Sequence, residues 1–139
     1  MCATVKIKGI AKSTLDFILE VSKSSAPREF AGLLRAEDGV IKDVIFLPGT
    51  ESSQISATIR LFMMPNISIA GSVHSHPTSN TNPSRADLAL FARVGGHNII
   101  AGAPYDSRSW RCYDSNGRSI PLNVLDIEFD DDDADLVLF

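Results

Sequence analysis

The stretch Ile67 to Phe91, ISIAGSVHSHPTSNTNPSRADLALF, decides the reading of this chain. Ile67 to Val73 is a short apolar run of the kind that forms a buried strand. It ends in His74, Ser75, His76 and Pro77. Residues i and i+2 of a strand point to one face, so the two imidazoles can converge on one point, as zinc asks of histidine. Thr78 to Pro83 is polar and closes in proline, which suits a loop folding the chain back to a helix start near Ser84. Asp87, three residues on, stands in the first helical turn and can supply a third ligand. Two His and one Asp leave a fourth tetrahedral position open, the mark of a catalytic zinc site.

Each half of the pattern also has a plainer reading. Ser84 with Asp87 before an apolar run is a capping box, in which hydroxyl and carboxylate satisfy backbone N–H groups at the helix start. His-x-His on a strand can be two polar residues on a solvent face. Capping and ligation are compatible, since one carboxylate oxygen can serve the metal while the other serves the amides.

Outward from this cluster, helix and strand alternate. Ser13 or Thr14 is expected to cap a first helix with Leu15, Ile18, Leu19 and Ser22 facing inward, ended by Pro27. Phe30 to Leu34 and Val40 to Leu47 read as a hairpin around Glu37, Asp38 and Gly39. Gly49 to Ser56 reads as a loop and Ala57 to Met63 as a further apolar run. The second helix has Leu88, Leu90, Phe91 and Val94 as its apolar side and stops at Gly95 and Gly96. Ile99 to Ala103, Trp110 to Tyr113 and a last strand near Ile120 to Val124 follow. The fold class is mixed α/β, with a mainly antiparallel sheet flanked by helices.

Length and composition agree with one globular domain: 139 residues, 44% hydrophobic and 22% charged, with only two cysteines. Cys2 and Cys112 make neither a disulfide framework nor a four-thiolate zinc site, so a reducing cytoplasm is expected. Lys6, Lys8, Lys12 and Asp16 interrupt the first twenty residues, so no signal peptide is expected there, and with no run long enough no membrane span is expected. The net charge of −4 hides an asymmetry. Asp126, Glu128, Asp130 to Asp133 and Asp135 crowd residues 126–139, so the division expected is a domain over 1–125 and an acidic tail over 126–139 that ends in Leu136, Val137, Leu138 and Phe139. With no basic stripe to track a phosphate backbone, nucleic acid is not expected as a partner.

The runs His74-Ser75-His76-Pro77 and Pro83-Ser84-Arg85-Ala86-Asp87, with Pro27-Arg28-Glu29-Phe30-Ala31-Gly32-Leu33-Leu34 upstream, closely resemble the JAMM (MPN+) metallopeptidases. Ile45 to Pro48, Gly71 to Val73, Asp87 to Phe91 and Pro104 to Tyr113 resemble the small, free-standing archaeal members, and the likeness covers roughly residues 8–125. It implies the MPN/JAMM fold, a curved, cytidine-deaminase-like sheet. It also implies one zinc per chain on His74, His76 and Asp87, with a catalytic water as fourth ligand. By the same resemblance Glu29 is the general base and Ser84 the donor to the developing oxyanion. The reaction implied is hydrolysis of an isopeptide or peptide bond after the C-terminal Gly-Gly of a ubiquitin-like or sulfur-carrier protein, with candidate substrate contacts in Gly49 to Met64.

Other features draw weaker readings. His97, after two glycines at a helix end, is expected to serve terminal carbonyls rather than metal. Cys112 in a strand is expected to be a small buried apolar residue. A zinc-containing, non-catalytic module that recruits ubiquitin-like proteins is the alternative to an enzyme. Exposed sheet edges make a homodimer an open possibility.

Overall fold

In a computed structural model of the chain, residues 6–47 and 69–127 are described. They form β1 (Gly9–Ala11), α1 (Lys12–Ser25), β2 (Ala31–Glu37), β3 (Val40–Phe46), β4 (Ile69–Ser75), α2 (Arg85–Val94), β5 (Asn98–Ala101), β6 (Trp110–Tyr113), β7 (Ser119–Ile120) and β8 (Val124–Leu125). All eight strands join one sheet in the order β7-β6-β5-β4-β2-β3-β1-β8. The sheet is mixed: β1 runs parallel to β3 and β8, and β4 parallel to β5, while the other pairs are antiparallel.

The chain connectivity forces this sheet to curl. β7 and β8 are its two edges, yet only residues 121–123 separate them. Four virtual Cα bonds span at most about 15 Å, whereas seven strand spacings in a flat sheet span about 34 Å. The edges must therefore approach each other, and the sheet closes into a half-barrel with two helices. α1 touches β1, β3, β5 and β8, which a single helix can do only from inside the curl. Its Leu15, Ile18 and Leu19 recur at helical spacing and meet Ile10, Leu34, Ile41, Val73, Ile99 and Cys112 in the main core. The alternate residues of those strands face outward, where α2 covers them: Leu33 packs with Val94, and Ile100 with Phe91 and Tyr113.

Several expectations change in detail. α1 begins at Lys12 after Ala11, which offers no side-chain cap, so neither Ser13 nor Thr14 caps it. Thr14 is already inside the helix, and its hydroxyl donates instead to the Lys42 carbonyl at 2.6 Å, joining α1 to β3. The expected last strand is two short ones that break around Pro121, which lacks an N–H for a ladder, and they sit on opposite edges of the sheet. Leu88 on α2 is exposed and leans toward Gly117 instead of joining the core. The hairpin is as read, with Asp38 (φ 54°) and Gly39 (φ 81°) making the left-handed pair that a two-residue turn requires. The loop and strand expected over Gly49 to Met63 and the tail 128–139 lie outside the described residues, as does the start of the Ile67 run.

One close approach sets up the strand that carries the histidines. A Cβ on Gly71 would lie 1.6 Å from the His97 carbonyl oxygen, so only glycine lets β4 pass the segment leading into β5. Next to it, the buried Asn98 accepts from the Ser72 amide (3.1 Å) and hydroxyl (2.7 Å) and donates to the Gly95 and Tyr113 carbonyls. A fully satisfied buried amide like this ties β4 and β6 to the end of α2.

Candidate metal centre

His74 stands near the end of β4, opposite Ala31 on β2 and Ile100 on β5, so sheet neighbours fix its backbone on both sides. Val73 before it faces the inner core, and alternation turns His74 outward toward α2, where its ring lies 6.2 Å from that of Phe91. Ser75 faces inward again and accepts the Phe30 N–H at 3.0 Å, and its own N–H bonds the Phe30 carbonyl at 3.0 Å. His76 returns to the outer face, and the two ring centroids are 5.1 Å apart.

Asp87 reaches the same place from the start of α2. The capping box expected from the sequence is complete: the Asp87 N–H donates to Ser84 Oγ (3.1 Å), and the Ser84 N–H donates to Asp87 Oδ2 (2.8 Å). That bond turns the carboxylate across the two imidazoles. Oδ1 lies 2.8 Å from His74 Nε2, and Oδ2 lies 3.1 Å from His76 Nε2. The ligand-type atoms of His74, His76 and Asp87 all fall within 4.8 Å of one another. Burial alone pushes the Asp87 carboxyl up, but His74 beside it and the donors from Ser84 outweigh that and hold it well below the usual carboxylate range. It is an anion at neutral pH.

The donor set fits a metal ion. His74 is buried, yet neither ring nitrogen has a hydrogen-bond partner, even though Nε2 is 2.8 Å from Oδ1. No N–H of His74 is aligned on the carboxylate, and an orphaned buried nitrogen is costly unless something else is bound there. A cation shared with His76 Nε2 and Asp87 satisfies all three. Two neutral imidazoles and one carboxylate suit zinc, with a fourth position left open. His76 is also held as a ligand should be, since its Nδ1 lies 2.7 Å from the Asn80 carbonyl, a bond that puts the proton on Nδ1 and leaves Nε2 free.

The other candidates fall as follows. Glu29 is exposed, just ahead of β2. The β2–β4 pairing reaches Ala31↔His74, and Glu29 stands two residues ahead of that pair in the chain. Ser84 is exposed at the helix start, and accepting from Asp87 leaves its O–H hydrogen available to donate. His97 uses its backbone, not its ring, to bond the Ala70 carbonyl (2.7 Å), and burial lowers the pKa of its imidazole. Cys112 is buried in the inner core, where desolvation pushes its thiol up to about 12. Asn80 was missed as a site residue; its contribution is a main-chain carbonyl, which every residue carries, so no side-chain pattern marks it.

Residues 11–113 match the family described as prokaryotic homologues of the JAB domain, Prok-JAB. The chain belongs to this family. The Prok-JAB chain is 39% identical to a protein named "probable metalloprotease" from Haloferax volcanii, over 93% of this chain and 86% of that one. Among solved structures it is similar to a JAB1/MPN domain protein from Archaeoglobus fulgidus, at 36% identity and a TM-score of 0.71, covering 85% of this chain and 99% of that one. A structure described as the JAMM metalloprotease-like zinc site in the proteasome and signalosome matches at 36% identity and a TM-score of 0.70, over 87% of this chain and 100% of that one. The Prok-JAB fold is thereby established for this chain, and its His74, His76 and Asp87 form a group that could hold a metal ion. No helix among the described residues is long and apolar enough to cross a membrane.

Proposed function

We propose that this Prok-JAB protein is a zinc-dependent isopeptidase that cleaves after the C-terminal Gly-Gly of ubiquitin-like or sulfur-carrier proteins. The observation that carries the reading is the convergence of His74, His76 and Asp87 on one point, with an orphaned imidazole nitrogen, beside the capping hydroxyl of Ser84. A purely structural zinc site closes all four positions with protein ligands, and the described residues here offer three.

His74, His76 and Asp87 would hold the metal, which supplies Lewis acidity and lowers the pKa of a water toward about 7. Glu29, two residues ahead of the Ala31↔His74 pair, accepts a proton from the attacking water and delivers it to the leaving amine. The Ser84 hydroxyl donates to the oxygen of the scissile carbonyl as negative charge develops there. Water adds to the carbonyl carbon, the C–N bond breaks, and the products are the free Gly-Gly carboxylate and a lysine or N-terminal amine. The glycines let an extended tail approach the sheet end closely, a strand-addition mode. In this reading substrates are small ubiquitin-like proteins in the cytoplasm, and the outcome is recycling of the carrier.

The test is a timed cleavage assay on a ubiquitin-like carrier joined through its Gly-Gly tail to a lysine side chain, with and without a zinc chelator, read by intact mass. Chelator-sensitive release of unmodified carrier is expected from the wild type. Glu29→Gln is expected to keep its zinc and lose turnover. Zinc at one per chain with no cleavage of any carrier would transfer the assignment to a recruiting module.

A further inference from the structure

The 76–83 loop links two of the metal-facing residues to the third, and it carries no ladder of its own. What fixes it comes from the adjoining β5–β6 segment. The His76 N–H donates to the Ala101 carbonyl at 2.8 Å, and the His76 carbonyl accepts the Tyr105 hydroxyl at 2.7 Å. With Nδ1 engaged by the Asn80 carbonyl, every polar group of His76 except Nε2 is committed before a metal arrives. At the other end of the loop the Thr81 carbonyl accepts the Tyr113 hydroxyl at 2.6 Å. Asn80, which orients the imidazole, sits between these two anchors, its N–H on Thr78 Oγ1 and its Oδ1 on the Asn82 N–H. Tyr113 also stacks on Phe91, which in turn lies against the His74 ring. Tyr105 holds φ 63°, a left-handed backbone that a bulky residue keeps only where its surroundings over-determine it.

We propose that Tyr105 and Tyr113 are positioning residues for the metal centre, clamping the 76–83 loop through two hydroxyl-to-carbonyl bonds so that His76 Nε2 is aimed before the ion binds. This rests on reading His74, His76 and Asp87 as metal ligands, and it does not depend on which bond the protein cleaves. The bonds span 29 and 32 residues, so each hydroxyl transmits the position of the β5–β6 segment to the loop. A freed carbonyl lets the peptide plane after His76 turn, and the imidazole turns with it.

The experiment uses the full chain and the conservative variants Tyr105→Phe and Tyr113→Phe, which keep the ring and remove only the hydroxyl. Zinc affinity is measured by competition with a chromogenic chelator, cobalt is substituted to read the visible absorption of the site, and melting is followed with and without metal. Each variant is expected to raise the zinc dissociation constant about tenfold or more, as removal of an outer partner of a ligand does elsewhere, and to shift the cobalt bands away from tetrahedral intensity. A role in folding alone would lower melting equally with and without metal while leaving affinity and spectrum as in the wild type, and that result overturns the assignment for the tyrosine concerned. A wild-type chain that takes up neither zinc nor cobalt overturns the metal-centre reading itself.

Discussion

Ser84 caps α2 and, in the proposed mechanism, also donates to the oxyanion, and the two roles can be separated by substitution. Its Oγ accepts the Asp87 N–H at 3.1 Å, while its own N–H serves Asp87 Oδ2 at 2.8 Å. Ser84→Ala removes the first bond and keeps the second, since alanine retains the N–H. Loss of a side-chain cap costs about 1 kcal/mol, which in a domain of this size lowers Tm by about 4 °C. That leaves more than about 99% of molecules folded against a stability of ~5–15 kcal/mol, so unfolding cannot reduce turnover appreciably. Loss of an oxyanion donor, in contrast, reduces turnover by ~10²–10³. Ser84→Gly sharpens the contrast, because glycine at this position gives up only a few tenths of a kcal/mol of about 1. The expected pattern is Tm near wild type for Ser84→Gly, about 4 °C lower for Ser84→Ala, and turnover down at least about a hundredfold in both. Cleavage of the Gly-Gly conjugate is followed by intact mass on preparations matched for zinc content. Wild-type turnover by Ser84→Gly would refute a donor role and leave Ser84 as a cap only.

Two other predictions concern the sheet that carries the site. Gly71→Ala sets a Cβ 1.6 Å from the His97 carbonyl oxygen, which is backbone and cannot swing aside, so a loss of about 3 kcal/mol or more is expected. A thermal melt within a degree or two of wild type would show that β4 and the segment before β5 can separate freely. Cys112 is held protonated by burial up to about 12, so in a Cys2→Ser background a thiol reagent at pH 8 should label it only after unfolding. The linkage has a sign: the unfolded thiol ionises near ~8.5 while the folded one does not, so the folded state loses stability as pH rises from there toward 12. Cys112→Ala should flatten that alkaline decline, and an unchanged slope would place the titration elsewhere.

The convergence of His74, His76 and Asp87 was legible because its parts are local. His74 and His76 obey the two-residue repeat of a strand, and Ser84 with Asp87 obeys the spacing of a capping box. The box and the ligand reading proved compatible in one geometry, the Ser84 amide bond being what turns the Asp87 carboxylate toward the imidazoles. The hairpin at Asp38 and Gly39 was legible for the same reason. Features set by distant contacts were not. Thr14 looks like a cap in sequence, but its hydroxyl is drawn to Lys42, 28 residues on, and the helix starts earlier. Ile120 to Val124 looks like one strand, and only the curl of the sheet sends its two halves to opposite edges. Tyr113 reads in sequence only as the end of a strand and Tyr105 only as part of a stretch that carries the resemblance, because the carbonyls they hold leave no mark on residue type.

That curl also dictates when the protein can be finished. β8 closes onto β1 through Ile10↔Val124 and Ala11↔Leu125, pairing residues near the two ends of the described domain. A nascent chain can form the β2–β3 hairpin early, but β1 keeps an open outer edge until residue 125 has emerged from the ribosome. Contacts of such long sequence separation slow folding, since the loop must close before the pairing stabilises it. Synthesis therefore passes through a window in which the strand carrying His74 and His76 exists with one edge of its sheet unsealed. A chain stopped at Pro121 would stay in that window, prone to pairing with its own kind.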